Sequence, residues 1–435
     1  MIKRLVLALA ALAMIASCDD KGKDDPEQVP IGGPIEVEFP TPSTAISKVS
    51  LSEAEKGYVN AGNDMALKFL AKLYDGSDMV CSPLSLQMAL AMTANGASGE
   101  TLSEITNFLG YGKDGITALN SYCNSLLNQL PAVDLDVKLK LANALLVNSE
   151  YPLLASYKET VEKSYYAAVE NRPFNSSSEL AALINDWAKR VTEGFIEKVL
   201  SENEVSPSTA AFIMNALYFK AKWAGDEYDP MFLEEGTTDE VFTLSDGRIT
   251  TVAMMRNKRQ HKYAEMDGFK VLALPYASGK YYMYILLPDK NDLAGLVKKL
   301  PGIAWSDILG SLKQDADVYV KLPRFEVESK YNLSESLMAL GIQKAFTPAA
   351  EFPNMFAAKS MAFAIDKVIQ KARISVTEWG TEAAAVTVVT MYGSNLGPGD
   401  EPKRVNFYAD HPFLFLIGES TSGTILFEGA YTGKQ

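Results

Sequence analysis

Ala61, Met65, Phe69 and Leu73 recur every four positions behind Ser52 and Glu55. That spacing stacks them on one face of a helix whose first turn is closed by a capping box. Ser82 followed by Pro83 marks a second helix start, because serine accepts from the open N–H groups of a first turn and proline leaves none unpaired. Leu86, Met88, Ala89, Leu90 and Met92 then leave this helix almost no polar face, so it is expected in the interior. Alternation replaces the helical period further on. Leu139, Leu141, Asn143 and Leu145 face away from Lys138, Lys140 and Ala142, which predicts a half-buried strand. Val271–Leu274 and Tyr281–Leu287 predict two neighbouring strands joined through residues 275–279, and Val318–Leu322, Ala372–Thr377 and Pro412–Ile417 add three more. Helices and strands mixed without a βαβ rhythm give an α+β class rather than a doubly wound sheet.

The least ordinary stretch runs over residues 378–402. Thr381, Ala383, Ala385, Thr387, Val389 and Met391 form one period-2 face, and Glu382, Ala384, Val386, Val388 and Thr390 form the other. Small or β-branched residues on both faces, with no proline before Pro398, describe a strand able to sit inside a sheet. Gly393 to Pro402 is turn chemistry. Composition alone reads the whole as a strand followed by a long turn.

The chain begins differently. Lys3 and Arg4 precede an apolar run, Leu5–Ala16, that is too short to span a bilayer. Ile15-Ala16-Ser17-Cys18 resembles the lipobox of bacterial lipoproteins. The resemblance implies a signal peptide over 1–17, a lipid on Cys18, attachment to a membrane and a place in the cell envelope or on the outer surface; the plainer alternative is an ordinary secretory peptide. Asp19 to Pro26 is charged, and Pro30, Pro34, Pro40 and Pro42 continue it, so residues 18–50 are expected to be a flexible, irregular tether ahead of one domain over 51–435. With Cys18 so used, Cys81 and Cys123 remain, both in apolar surroundings and expected as buried free thiols.

Composition narrows function by exclusion. The 435 residues carry 41 basic and 54 acidic side chains, a net charge of −13, which argues against a nucleic-acid surface. Two histidines leave no His-rich metal site, and no cofactor is implied. Residues 110–115 match GxGxxG, but Thr101–Leu109 ahead of them reads as helix where a dinucleotide site needs a strand, so they are read as a loop. No nucleophile elbow, phosphate loop or zinc-protease motif occurs. His261 lies among Arg256, Lys258, Arg259 and Lys262 and reads as a solvated basic turn, while His411 precedes a strand and has no nucleophile in its own segment. No catalytic residue is assigned, and a hydrolase finds no support.

Gly380-Thr381-Glu382-Ala383-Ala384-Ala385 resembles the reactive-loop hinge of the inhibitory serpins. Further stretches resemble the same family in order across about residues 50–435. These are Ser82-Pro83-Leu84-Ser85, residues 95–101, residues 184–187, Asn215 to Lys220 with Trp223, Leu274-Pro275-Tyr276, Leu322-Pro323-Arg324-Phe325, residues 340–342, Ala409 to Phe413 and Ile425 to Gly429.

The resemblance implies a single monomeric domain of three β-sheets and about nine helices with an exposed reactive loop at about 378–402. It implies a suicide substrate for serine proteases, with cysteine proteases as a second class. The protease cuts the loop, the hinge enters the main sheet and the acyl-enzyme is trapped. Glu378, Gly380, Thr381, Glu382, Ala383, Ala384, Ala385 and Thr387 would be the hinge, with Thr381, Ala383 and Ala385 facing inward and Glu382 outward. Sixteen residues on from Glu378, the scissile bond would be Ser394–Asn395, suiting an elastase-like pocket; Tyr392, suiting a chymotrypsin-like one, and Met391 are alternatives. Ser82, Ser85 and Asn215 match the polar cluster beneath the parting of the sheet, and Trp223 matches the point of first insertion. Gln370 departs from the histidine of the family pattern, which puts the ease of opening in doubt and removes an imidazole's pH sensitivity. The alternative from another class is a serpin-fold binding or carrier protein that traps nothing.

Overall fold

The computed structural model describes residues 32–111, 115–225, 229–357, 363–381 and 403–434. Among these, nine α-helices form: α1 (Glu53–Leu73), α2 (Pro83–Gly96), α3 (Gly99–Phe108), α4 (Gly115–Gln129), α5 (Ala155–Tyr165), α6 (Ser177–Val191), α7 (Leu293–Lys299), α8 (Trp305–Ser311) and α9 (Ser334–Ala339). The strands are β1 (Met79–Cys81), β2 (Lys138–Asn148), β3 (Ala168–Arg172), β4 (Ala211–Lys222), β5 (Thr238–Thr243), β6 (Ile249–Gln260), β7 (Lys262–Met266), β8 (Phe269–Tyr276), β9 (Tyr281–Pro288), β10 (Ala316–Pro323), β11 (Phe325–Asn332), β12 (Ile369–Thr377), β13 (Gly380–Thr381), β14 (Lys403–Tyr408), β15 (Phe413–Glu419) and β16 (Ile425–Tyr431).

Local chemistry accounts for the helix starts. Ser52 and Glu55 close the first turn of α1 reciprocally, and Ser82 caps α2 ahead of Pro83. The apolar surface of α2 is buried nearly all round, which fixes it as the helix around which the larger core assembles. Three sheets share that core. The main sheet has the order β11-β12-β13-β4-β2-β3, a second runs β1-β16-β15-β9-β8-β7, and a third runs β14-β10-β6-β5. A smaller apolar cluster gathers α6 residues Leu180, Ile184 and Trp187 with Ala142, Ala144 and Leu146 of β2. The main sheet is therefore covered on both faces.

Three expectations are corrected here. β2 is not half-buried: from Ala142 to Asn148 every residue is buried, because α6 covers the face that the lysine alternation at its start assigned to water. From residue 32 to residue 50 the chain forms no helix or strand, as its prolines lead one to expect, but residues 35–49 are not a free tether. Ile35 is fully buried, Ile46 N–H donates to the Ala132 carbonyl at 2.9 Å, and Val49 N–H donates to Thr421 Oγ1 at 2.9 Å. His261 is not solvated. It sits between β6 and β7 with 3% of its surface exposed, Nε2 lies 2.9 Å from Asn257 Oδ1, and burial, helped by Arg259, pushes its pKa down to about 4. His411 is held by Asp410 and by the Pro288 carbonyl, each at 2.8 Å. Cys81 and Cys123 are free and buried. Gly110 and Tyr111 follow α3 as a loop, and residues 112–114 lie outside the described residues.

Candidate functional site

The main sheet parts between β12 and β4. Among the described residues these two strands do not pair with each other; each pairs with the two-residue strand β13. Thr381 stands opposite Val376 of β12 and Ala221 of β4, and Gly380 opposite Thr377 and Lys222. The start of the hinge thus already occupies the top of a slot that no other described residue fills.

Aromatic and charged groups hold that top. Trp223 donates from Nε1 to the Thr377 carbonyl at 2.8 Å and from its backbone N–H to the Trp379 carbonyl at 3.1 Å. Its ring stacks on Tyr276 with centroids 4.4 Å apart, and the Tyr276 hydroxyl lies 2.5 Å from Thr381 Oγ1. Gly380 has φ +139, and a Cβ there would collide with the Ala221 carbonyl oxygen, so only glycine admits this close passage. Glu378, 2% exposed, receives Arg324 through both oxygens, at 2.7 and 3.1 Å, and Thr237 Oγ1 at 2.5 Å. Burial by itself would raise the pKa of this carboxyl, but the Arg324 and Thr237 hydrogen bonds outweigh it and hold it below the usual range. Trp379 Nε1 donates to Glu234 at 3.2 Å.

Below Thr381 the slot widens into a cavity of about 590 Å³. Its walls include Ser85 of α2, Trp187 of α6, Asn215 of β4 and Gln370 of β12. The polar groups here form two separate halves. On the β12 side, Gln370 accepts from the Ser82 N–H at 3.0 Å and donates to the Ser82 carbonyl at 2.8 Å. The Ser82 hydroxyl donates to the Leu426 carbonyl at 2.8 Å while capping α2 through Ser85 N–H. On the β4 side, the Ser85 hydroxyl donates to Asn215, whose amide donates to Asn143 at 2.5 Å. Among the described residues the N-terminus of α2, which carries Ser82 and Ser85, links the two halves.

Ser82, Ser85, Asn215, Gln370 and Trp223 therefore come together along one slot with Glu378, Gly380 and Thr381 at its head. Glu382, Ala383, Ala384, Ala385, Thr387, Met391, Tyr392, Ser394 and Asn395, like Cys18, lie outside the described residues. Tyr276, Thr237, Asn143 and Arg324 were missed as site residues. Arg324 and Tyr276 lay inside quoted family motifs, but nothing local to them pointed to Glu378 or Thr381. Among the described residues no cluster has the make-up of a metal site, and no helix is long and apolar enough to cross a membrane.

Known proteins share this fold. The family model described as Serpin (serine protease inhibitor) matches residues 60–433. Leukocyte elastase inhibitor A of Mus musculus is 33% identical over 383 residues, covering 85% of this chain and 97% of that protein. The thermophilic serpin tengpin in its native state superposes with a TM-score of 0.78 at 28% identity, covering 90% of this chain and 97% of the other. Human thyroxine-binding globulin, at 23% identity and a TM-score of 0.75 over 86% of this chain and 98% of its own, shares the fold. With its three sheets, its motifs in order and a family match across most of its length, this chain belongs to the serpin family.

Proposed function

We propose that this protein inhibits serine proteases as a suicide substrate. Its loop is cut, the hinge enters the slot between β4 and β12, and the acyl-enzyme is carried away from the geometry that deacylation needs. The observation that carries the reading is the register of β13. Continued downward from Thr381, it brings Ala383 opposite Phe219 and Ile374, Ala385 opposite Leu217 and Ala372, and Thr387 opposite Asn215 and Gln370. Thr387 would then enter between the two polar halves, offering a hydroxyl that both donates and accepts. The buried face of β12 and β4 at these levels, with Ala372, Ile374, Leu217 and Phe219, suits small uncharged side chains.

The same count bears on the scissile bond. Met391 would come opposite Ala211, the first residue of β4, so the inserted strand ends there. A cut after Ser394 leaves three residues to span from the sheet to a bound protease. A cut after Tyr392 leaves one, and a cut after Met391 leaves none. Ser394–Asn395 with an elastase-like target is therefore preferred. The relative named leukocyte elastase inhibitor A supports that class.

Incubation with elastase-type and chymotrypsin-type proteases tests this. The expected product is a covalent complex that survives denaturant, with the loop fragment beginning at Asn395. Clean cleavage without a complex, by every protease tried, overturns trapping and leaves a binding or carrier role. We also propose that lipid on Cys18 tethers the protein in the cell envelope; Cys18→Ala is expected to move it from the membrane to the soluble fraction, and unchanged fractionation refutes this.

A further inference from the structure

The smaller apolar cluster is closed by a segment that belongs to no helix or strand. Ile35 is fully buried in the cluster that holds Leu180, Ile184 and Trp187 of α6 and Ala142 and Ala144 of β2. Arg190 of α6 donates from Nη2 to the Ile35 carbonyl at 2.8 Å, and its Nε holds Asp186 at 2.8 Å. Val37 and Phe39 pack against the same cluster. The Lys140 ammonium of β2 lies over the Phe39 ring, 5.6 Å from its centroid. Residues 35–39 are thus fastened to α6 at one end and to the main sheet at the other.

That position bears on the slot. Ile184, Trp187 and Ala188 of α6 line the cavity between β4 and β12. A strand entering there places alternate side chains, Val386 and Val388 among them, beneath α6, and the helix must lift to let them pass. We infer that residues 35–39 are a strap that ties α6 to the main sheet and sets the rate at which the slot admits the cut loop. The inference rests on the loop-insertion reading above. The attachment is one carbonyl, three apolar side chains, the Lys140–Phe39 contact and an Arg190–Glu36 ion pair at 3.9 Å, few enough to release locally while the rest of the fold stays intact. Because α6 settles back once the strand is in, the strap raises the barrier without favouring either end state.

The test uses the full-length protein mixed with excess elastase-type protease, with tryptophan fluorescence followed by stopped flow to time insertion after cleavage. Ile35→Asp is expected to speed insertion ~10–100-fold, the range that corresponds to losing one fully buried aliphatic side chain in the loop-out state but not in the transition state, where the strap is already released. Ile35→Val is expected to stay within about threefold of the parent, since it removes one methyl. Arg190→Gln loses the tie to the Ile35 carbonyl, the Asp186 pair and the longer Glu36 pair at 3.9 Å, on the half-exposed side of α6. It is expected to fold, and to speed insertion about two- to fivefold, which keeps the test sound if Ile35→Asp fails to fold. An unchanged insertion rate in folded Ile35→Asp or Arg190→Gln, with only a lower unfolding temperature, overturns the strap and makes the segment static packing. If the parent itself gains no thermal resistance on cleavage, the loop does not insert, and the insertion reading falls together with the strap.

Discussion

Thr387→Arg is the substitution that most directly interrogates the slot. In the uncut protein the residue lies six positions beyond Thr381, the last described residue of β13, and on the loop-out reading the melting temperature is expected to stay within about 1 °C of the parent. After the loop is nicked the register carries position 387 inward, between Asn215 and Gln370. Among the described residues the hydrogen-bonded groups flanking it are Ser82, Ser85, Asn143 and their amide and hydroxyl partners, and the two carboxylates that line the cavity, Glu204 and Asp366, already face Lys330 and Lys367. A buried cation without a counter-ion costs several kcal/mol after relaxation, here taken as about 5 kcal/mol. The unfolding entropy is about 2.1 cal/mol/K per residue, or about 0.8 kcal/mol/K for a domain of about 385 residues, so each kcal/mol moves the melting point by about 1.3 °C. Nicked Thr387→Arg is therefore expected to melt about 6 °C below nicked parent, and Glu382→Arg, on the opposite face, within about 2 °C of it. Differential scanning calorimetry before and after nicking reads both. If the two nicked variants melt alike, the register is wrong; if nicking leaves the parent's melting point unchanged, nothing has entered the sheet.

Glu378→Gln keeps the shape but removes the charge that Arg324 and Thr237 hold. With Arg324 side chain 45% exposed, solvent screening reduces the loss to about 1–2 kcal/mol, read as a drop in the urea midpoint. Because the Glu378 pKa is depressed, this stability is present above its unfolded value and fades as pH falls through the folded one, so parent and variant should converge in acid. Gly380→Ala forces a Cβ against the Ala221 carbonyl and is expected to cost about 1–3 kcal/mol and to expose Trp223, visible as a red shift of its emission. The two histidines should act in opposite directions. His261, depressed to about 4, adds stability that is lost as pH falls below about 6.5, by up to roughly 3 kcal/mol, and His261→Gln should flatten that acid limb. For His411, burial favours the neutral form, but Asp410 and the Pro288 carbonyl outweigh it and raise the pKa, so its contribution is full below about 6.5 and disappears as pH rises. An acid limb that survives His261→Gln would refute that assignment.

The elements legible in the sequence were those whose cause is local. Ser52 with Glu55 and Ser82 with Pro83 announce their helices because capping is settled within one turn. The strands around Val271 and Tyr281 followed from two short apolar runs with turn-forming residues between them. What failed depended on a distant partner. The Lys138 and Lys140 alternation could not reveal that α6 would cover the other side of β2. Ile35 sits among prolines and acids, and only the α6 surface makes it a core residue. His261 stood among cations in sequence, yet the break between β6 and β7 turns it inward. The site divides the same way. Gly380, Thr381 and the serines of α2 were found through motif resemblance, whereas the Arg324–Glu378 pair joins residues separated by 54 positions.

Gln370 fastens both backbone groups of Ser82 with one uncharged amide. An amide keeps the same bonds across the pH range in which an imidazole would change charge, so Gln370 itself contributes no titrating group to this catch. Under the trapping reading proposed above, the catch at Gln370 would answer to the cut and not to the surrounding acidity.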